Sequence, residues 1–166
     1  MTLQEAAARA EALAQDGAER ELADLRAKWA DELEASARSE DFRERAVAFR
    51  AIGQFRWRAK EELLRRGLDD GSPAARGSAL LSLEALSRDH PSTVNGVRSL
   101  LHTMATADDN AAVRRLAILV LKNGSPQRET IVLLEGLAGD DEADAELRRA
   151  AAGVAQGLKR RQTKKP

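Results

Sequence analysis

The stretch Asp108-Asp109-Asn110-Ala111-Ala112-Val113-Arg114-Arg115-Leu116-Ala117-Ile118-Leu119 places an acid six residues before an arginine, an alanine three residues after it, and then aliphatic residues. The same order returns in Asp70-Gly71-Ser72-Pro73-Ala74-Ala75-Arg76-Gly77-Ser78-Ala79-Leu80-Leu81, and more loosely around Glu142, Arg148 and Ala151. Phe42-Arg43-Glu44-Arg45-Ala46 carries the Arg–Ala relation without the acid, because position 37 is Ala37. Arg43, Arg76, Arg114 and Arg148 are 33, 38 and 34 residues apart, and the double leucines Leu63-Leu64, Leu100-Leu101 and Leu133-Leu134 precede the last three. A helix pair recurring at such a period cannot bury its apolar face alone; stacked copies can.

Composition agrees with helices. The chain of 166 residues is 43% hydrophobic and 33% charged, with 3% aromatics and no Tyr, so it has the apolar share of a folded domain and few strand formers. Its length suits one ordinary domain. With no Cys and only His90 and His102, disulfides, thiolate nucleophiles and Cys or three-His zinc sites are excluded. Net charge is zero, but Lys159-Arg160-Arg161-Gln162-Thr163-Lys164-Lys165-Pro166 carries five positive charges, which leaves residues 1–158 at −5. An acidic body with a basic tail differs from a nucleic-acid-binding domain, whose folded face is itself basic. With no apolar leader in Met1–Gln15 and no membrane-length apolar run, the chain is expected to be soluble, cytoplasmic and without membrane partners.

Helix boundaries are punctuated. Thr2-Leu3-Gln4-Glu5 reads as a capping box and Asp16-Gly17 as a stop. A second helix runs from Glu19 to Arg38 with Leu22, Leu25, Trp29 and Leu33 on one face, and Asp41 opens a third. Ser72-Pro73 and Ser125-Pro126 each place a hydroxyl cap before a first-turn proline, and His90-Pro91-Ser92 marks another break. About nine helices joined by short loops follow.

The acid, Arg, Ala and leucine pattern of the copies at Asp70 and Asp108 resembles the second half of HEAT-type repeats, in the compact form common in bacteria. The resemblance implies an all-α solenoid of about four antiparallel helix pairs: residues 1–17 an N-terminal capping helix, 18–158 the repeat domain and 159–166 a basic tail. It also implies that the four arginines form a structural ladder with the acids of their own and adjacent repeats, where the planar guanidinium suits a carboxylate.

No residue set argues for catalysis. The doublets Asp69-Asp70, Asp108-Asp109 and Asp140-Asp141 lack calcium-loop spacing and fit the helix macrodipole. Ser87, Asp89 and His90 are sequence neighbours, which seldom have triad geometry, and no phosphate-cradling or dinucleotide-binding glycine pattern occurs. No metal or cofactor is expected. Phe55-Arg56-Trp57-Arg58-Ala59-Lys60 interleaves aromatics with bases as nucleic-acid-binding surfaces do, yet its aromatics fall where a repeat needs core packing.

Counting each ladder arginine as zero and advancing about 100° per residue separates two faces. Positions three, seven and ten give an apolar stripe: Ala79, Leu83 and Leu86; Ala117, Leu121 and Gly124; Ala151, Ala155 and Leu158. Positions one, five and eight give the opposite face: Glu44, Ala48 and Ala51; Gly77, Leu81 and Glu84; Arg115, Leu119 and Lys122; Arg149, Gly153 and Gln156. In α-solenoids the second helices line the concave side, so this face is the expected groove. Leu81 and Leu119 would anchor a protein or peptide partner, and Glu84, Arg115, Lys122 and Arg149 would supply charge. The alternative, by similarity to HEAT-like DNA glycosylases, is nucleic-acid binding through Trp57, the arginines and the basic C-terminal tail. That tail is expected to stay helical for at most its first turn, with Lys159, Arg160 and Arg161 favoured by the helix dipole and Lys164 and Lys165 beyond its reach.

Overall fold

The computed structural model describes residues 1–164. The chain is all-α, 77% helical, with no strand among the described residues. Among the described residues ten α-helices follow in order: α1 Leu3–Gln15, α2 Glu19–Ala37, α3 Phe42–Gln54, α4 Glu61–Leu68, α5 Pro73–Ser87, α6 Ser92–Asn95, α7 Arg98–Ala107, α8 Ala111–Leu121, α9 Arg128–Ala138 and α10 Ala145–Thr163, with a 3-10 turn at Arg58–Lys60. The count exceeds the nine expected because the residues after Pro91 form a separate short helix before α7. The chain forms two compact units, Met1–Leu86 and a second beginning at Ser87.

In the first unit α1, α2 and α3 pack pairwise on one another, and α4 packs on α3. The Thr2 hydroxyl accepts from Glu5 N while the Glu5 carboxylate accepts from Thr2 N, the reciprocal cap read from the sequence. Gly17, at φ 70°, closes α1 in the left-handed conformation, so that Ala18 N reaches Leu13 O. The end of α3 has the same geometry with Arg56 in place of glycine, at φ 52°: Arg56 N donates to Gly53 O and Trp57 N to Ile52 O. The Arg26 guanidinium on α2 holds this turn by donating to the carbonyls of Phe55 and Arg56 at 2.8 and 3.0 Å, and its partial burial lowers its pKa. Phe55 is fully buried, as are Leu22, Leu33 and Ile52, each such burial contributing about 1.5–3 kcal/mol.

Gly53 meets α5 at close range. Its N–H donates to the Ser82 hydroxyl at 2.9 Å, and that hydroxyl lies against the carbonyls of Phe49 and Arg50. A Cβ at Gly53 would stand 2.6 Å from the Ser82 Cα, so only glycine allows the two helices this approach.

The arginine ladder differs from expectation in its first member. Arg43 is exposed, lies 3.4 Å from its own helix cap, Asp41, and stands over the neighbouring Phe42 ring at 5.6 Å. Arg45 instead takes Asp70 in a two-point pair, Nε to Oδ2 at 2.8 Å and Nη2 to Oδ1 at 3.0 Å, and donates through Nη1 to the carbonyls of Ser39 and Glu40. Arg45 bonds the carbonyl six residues upstream, Ser39, just as Arg76 Nη1 bonds Asp70 O at 2.9 Å. Counted from Arg45, positions three, seven and ten are Ala48, Ile52 and Phe55, all buried like the corresponding stripes of the later copies. Ala48 and Ala51, placed on the open face when the count starts at Arg43, are fully buried for this reason.

In the second unit α7 packs on α8, α8 and α9 on α10, and α9 on α7. Leu101, Ile118, Leu121, Leu134 and Leu147 are its fully buried large side chains. Arg114 donates to Ala105 O at 3.0 Å, while Arg148 comes no nearer than 4.0 Å to the fully exposed Asp141 and keeps a buried Nε without a partner. Ser125-Pro126 does not open α9, which begins at Arg128 after an uncapped Gln127. The Ser125 backbone is instead tied to the preceding helices: Ser125 N donates to Asn95 Oδ1 and Ser125 O accepts from Arg98 Nη2.

Buried Arg98 organises this corner, reaching Asn95 Oδ1, Ser125 O and, at 2.7 Å, the hydroxyl of fully buried Thr130. His102 Nε2 lies 2.9 Å from the same hydroxyl. Arg98 can only donate there, which leaves the Thr130 hydroxyl one proton and one lone pair, and the imidazole tautomer sets the direction of its bond with His102. Desolvation lowers the His102 pKa, with Glu129 opposing the shift and Arg98 adding to it.

The basic segment also departs from expectation. α10 runs unbroken to Thr163, and two of its last cations have partners in the body: Lys159 Nζ contacts Glu135 Oε2 at 2.9 Å, and Arg161 Nη1 donates to Lys122 O at 2.6 Å. Of the residues assigned to the tail, Lys165 and Pro166 lie outside the described residues.

Candidate functional site

Five large hydrophobic side chains among the described residues are exposed: Met1, Phe42, Leu81, Leu119 and Val132. Leu119 lies on α8 beside a cleft of about 480 Å³. That size is within the range of about 300–1,000 Å³ usual for ligand-binding clefts. α10 forms its other wall and floor, through Arg149, Ala150, Gly153, Val154, Gly157, Leu158 and Arg161, and Lys122 closes the α8 side.

The arrangement follows from helix geometry. Arg149, Gly153, Gly157 and Arg161 are successive members of one four-residue row of α10, hence on one face. Val154 and Leu158 border that row and are buried, which makes the floor apolar. Nothing lies within 4 Å of where a Cβ would project from Gly153 or Gly157, so the row opens where side chains would otherwise stand. At one end Arg149 is exposed, with its Nε turned to Ala145 O at 3.3 Å. At the other, Arg161 is held over the end of α8 by the Lys122 carbonyl, where the negative pole of that helix favours a cation. The rim is positive and no lining side chain is acidic.

Of the six residues expected to bind a partner, Leu119, Lys122 and Arg149 come together in this cleft. Arg115 is half-buried and spent on Glu146 at 3.1 Å. Leu81, exposed on α5, and Glu84, half-buried on the same helix, belong to the first unit. Gly157 and Arg161 were missed because the count from Arg148 stopped at position eight, Gln156, which lines a different hollow with Glu135 and Lys159. Extending the row of Arg149 by steps of four residues finds both.

Two other places among the described residues carry clustered cations, and in both most of the cations are bonded to acids or carbonyls of the protein. The first-unit cleft of about 320 Å³ contains Arg38, Arg45 and Arg66, but Arg45 uses four of its five N–H donors on Asp70 and two carbonyls, and Arg38 lies 3.4 Å from Glu34. In the segment Phe55–Lys60, Phe55 is in the core and tilts against Trp57 at 5.5 Å. Lys60 sits over the Trp57 ring at 5.3 Å and bonds Glu34 at 2.7 Å, which lowers the Glu34 pKa. Arg56 bonds Gly53 O and Arg58 contacts Glu61 at 3.2 Å.

Among the described residues no group of three or more His, Cys, Asp or Glu side chains is placed to hold a metal ion, and no helix is long and apolar enough to cross a membrane. The chain matches no protein-family model, no curated protein and no solved structure.

Proposed function

We propose that this protein is a non-enzymatic helical-repeat module of HEAT-like type that docks a protein or peptide segment in the cleft between α8 and α10. The observation that carries this reading is the pairing of an apolar floor and exposed Leu119 with a rim of Lys122, Arg149 and Arg161. An apolar area with a polar, solvent-accessible rim is the usual composition of a docking surface. Repeat character is supported by the matching roles of Arg45 and Arg76, each bonding the carbonyl six residues upstream, and by the recurrence of one buried stripe when the copies are overlaid from Arg45, Arg76, Arg114 and Arg148.

The test is capture from the native cell extract at low and high salt, with wild-type and Leu119→Asp baits. A protein retained at high salt by the wild type and lost by Leu119→Asp is the expected result. Capture that is nuclease-sensitive, steeply salt-dependent and indifferent to Leu119→Asp would transfer the function to nucleic-acid binding through the basic end of α10.

A further inference from the structure

We propose that the occupant of the α8–α10 cleft is an acidic, amphipathic α-helix of a partner protein, lying along α10 with its apolar ridge over Gly153 and Gly157. This rests on the docking reading above and names the chemistry of the partner.

Three observations select it. The cleft walls are helices whose backbone groups are bonded within themselves, so no strand edge is offered to an extended peptide. An α-helix satisfies its own N–H and C=O groups and enters without leaving them unpaired. Next, glycine inside a helix weakens it relative to alanine, and Gly153 and Gly157 are not demanded by packing, since each faces open space. What they provide is a shallow track along which a second helix can approach α10 closely, ridge into groove. Last, the cations stand at the two ends of that track. Arg149 and Arg161 are separated by twelve residues, about 18 Å along the helix axis. A partner helix of similar length with carboxylates near both ends matches that spacing, and the acid-free lining repels a basic one.

The test uses the full chain against a phage-displayed library of random peptides about sixteen residues long, enough for about four helical turns. Selected peptides are synthesised and their affinities measured with wild type, Leu119→Asp, Gly153→Leu and the double variant Arg149→Glu/Arg161→Glu, each first checked for helix content by circular dichroism. The expected peptides carry apolar residues at i and i+4 with acids toward both ends, and gain helicity on binding. They lose about tenfold or more in affinity with each variant, and replacing their acids by lysine restores binding to the double arginine variant. Peptides that bind in extended form or are basic, yet still lose affinity to Leu119→Asp, overturn the helix assignment and leave the docking reading intact. Peptides indifferent to both Leu119→Asp and Gly153→Leu, or a selection that yields none, overturn both. Self-association of the wild type that Leu119→Asp abolishes assigns the cleft to a second copy and also overturns the proposal.

Discussion

Arg45 on α3 and Asp70 in the loop between α4 and α5 are held together by two parallel hydrogen bonds of 2.8 and 3.0 Å across 25 residues of sequence. Asp70 also accepts from Ser72 N at 2.9 Å, so one carboxylate joins α3 to the start of α5. The Arg45 bond is the leading cause of the lowered Asp70 pKa. Asp70→Asn is therefore expected to destabilise the fold by about 1.5–3 kcal/mol, the scale of hydrogen bonds to a charged group. Arg43→Ala should stay within about 0.5 kcal/mol of wild type, because its side chain is exposed. Urea unfolding of the two variants checks this; equal losses would return the ladder role to Arg43.

Acid sensitivity follows from groups whose folded pKa values are lowered, His102 and Asp70 foremost because both are more buried than Glu34. His102 is neutral in the fold and takes up a proton more readily once unfolded, so its contribution is complete above about pH 6.5 and is lost as pH falls toward the folded value. Asp70 behaves alike further down: its contribution is present above about pH 3.9 and vanishes as pH falls through its lowered folded value. Unfolding midpoints measured between neutral and mildly acid pH should decline, and His102→Gln should flatten the decline near pH 6. An unchanged slope in that variant would remove His102 from the account.

Gly53→Ala should be among the most damaging single substitutions. The added methyl would stand 2.6 Å from backbone at Ser82 rather than beside a flexible tip, and overpacking of this kind costs about 1–3 kcal/mol or more. Ser82→Ala removes the acceptor of Gly53 N in a buried place, with an expected cost of about 1–3 kcal/mol. Thermal melts of both variants provide the check.

The glycines of α10 are expected to respond in the opposite sense. Gly153→Ala and Gly157→Ala each place a methyl in open space and should each stabilise the fold by up to about 1 kcal/mol through helix propensity. The same methyls narrow the cleft, so partner binding should weaken while the melting temperature rises. Binding that strengthens along with stability would mean the glycines serve no docking role.

Fold class and most boundaries were legible because local chemistry decides them. The Thr2–Glu5 box, the Asp16-Gly17 stop and the Asp41 cap each act within a few residues. The buried stripes of the later copies were legible from periodicity alone. Arg45 was not, since two arginines two residues apart look equivalent until Asp70, 25 residues on, selects one. Ser125-Pro126 departs from its local pattern for a similar reason: the Ser125 backbone N–H and C=O are bonded to Asn95 and Arg98, some 30 residues upstream, which no local pattern discloses. Composition marks the basic segment as a tail, whereas Lys159 and Arg161 find partners at Glu135 and the Lys122 carbonyl. Half of the expected docking residues converge because they share faces of α8 and α10, and Arg115 departs because Glu146 takes it.

The docking claim is tested most directly by thiol accessibility, since the chain has no cysteine to interfere. Single cysteines at Gly157, inside the cleft, and at Gln156, on the neighbouring face, are alkylated with and without a saturating selected peptide. The account predicts that the peptide slows alkylation at position 157 and leaves position 156 unchanged; equal rates at 157 with and without peptide would contradict it.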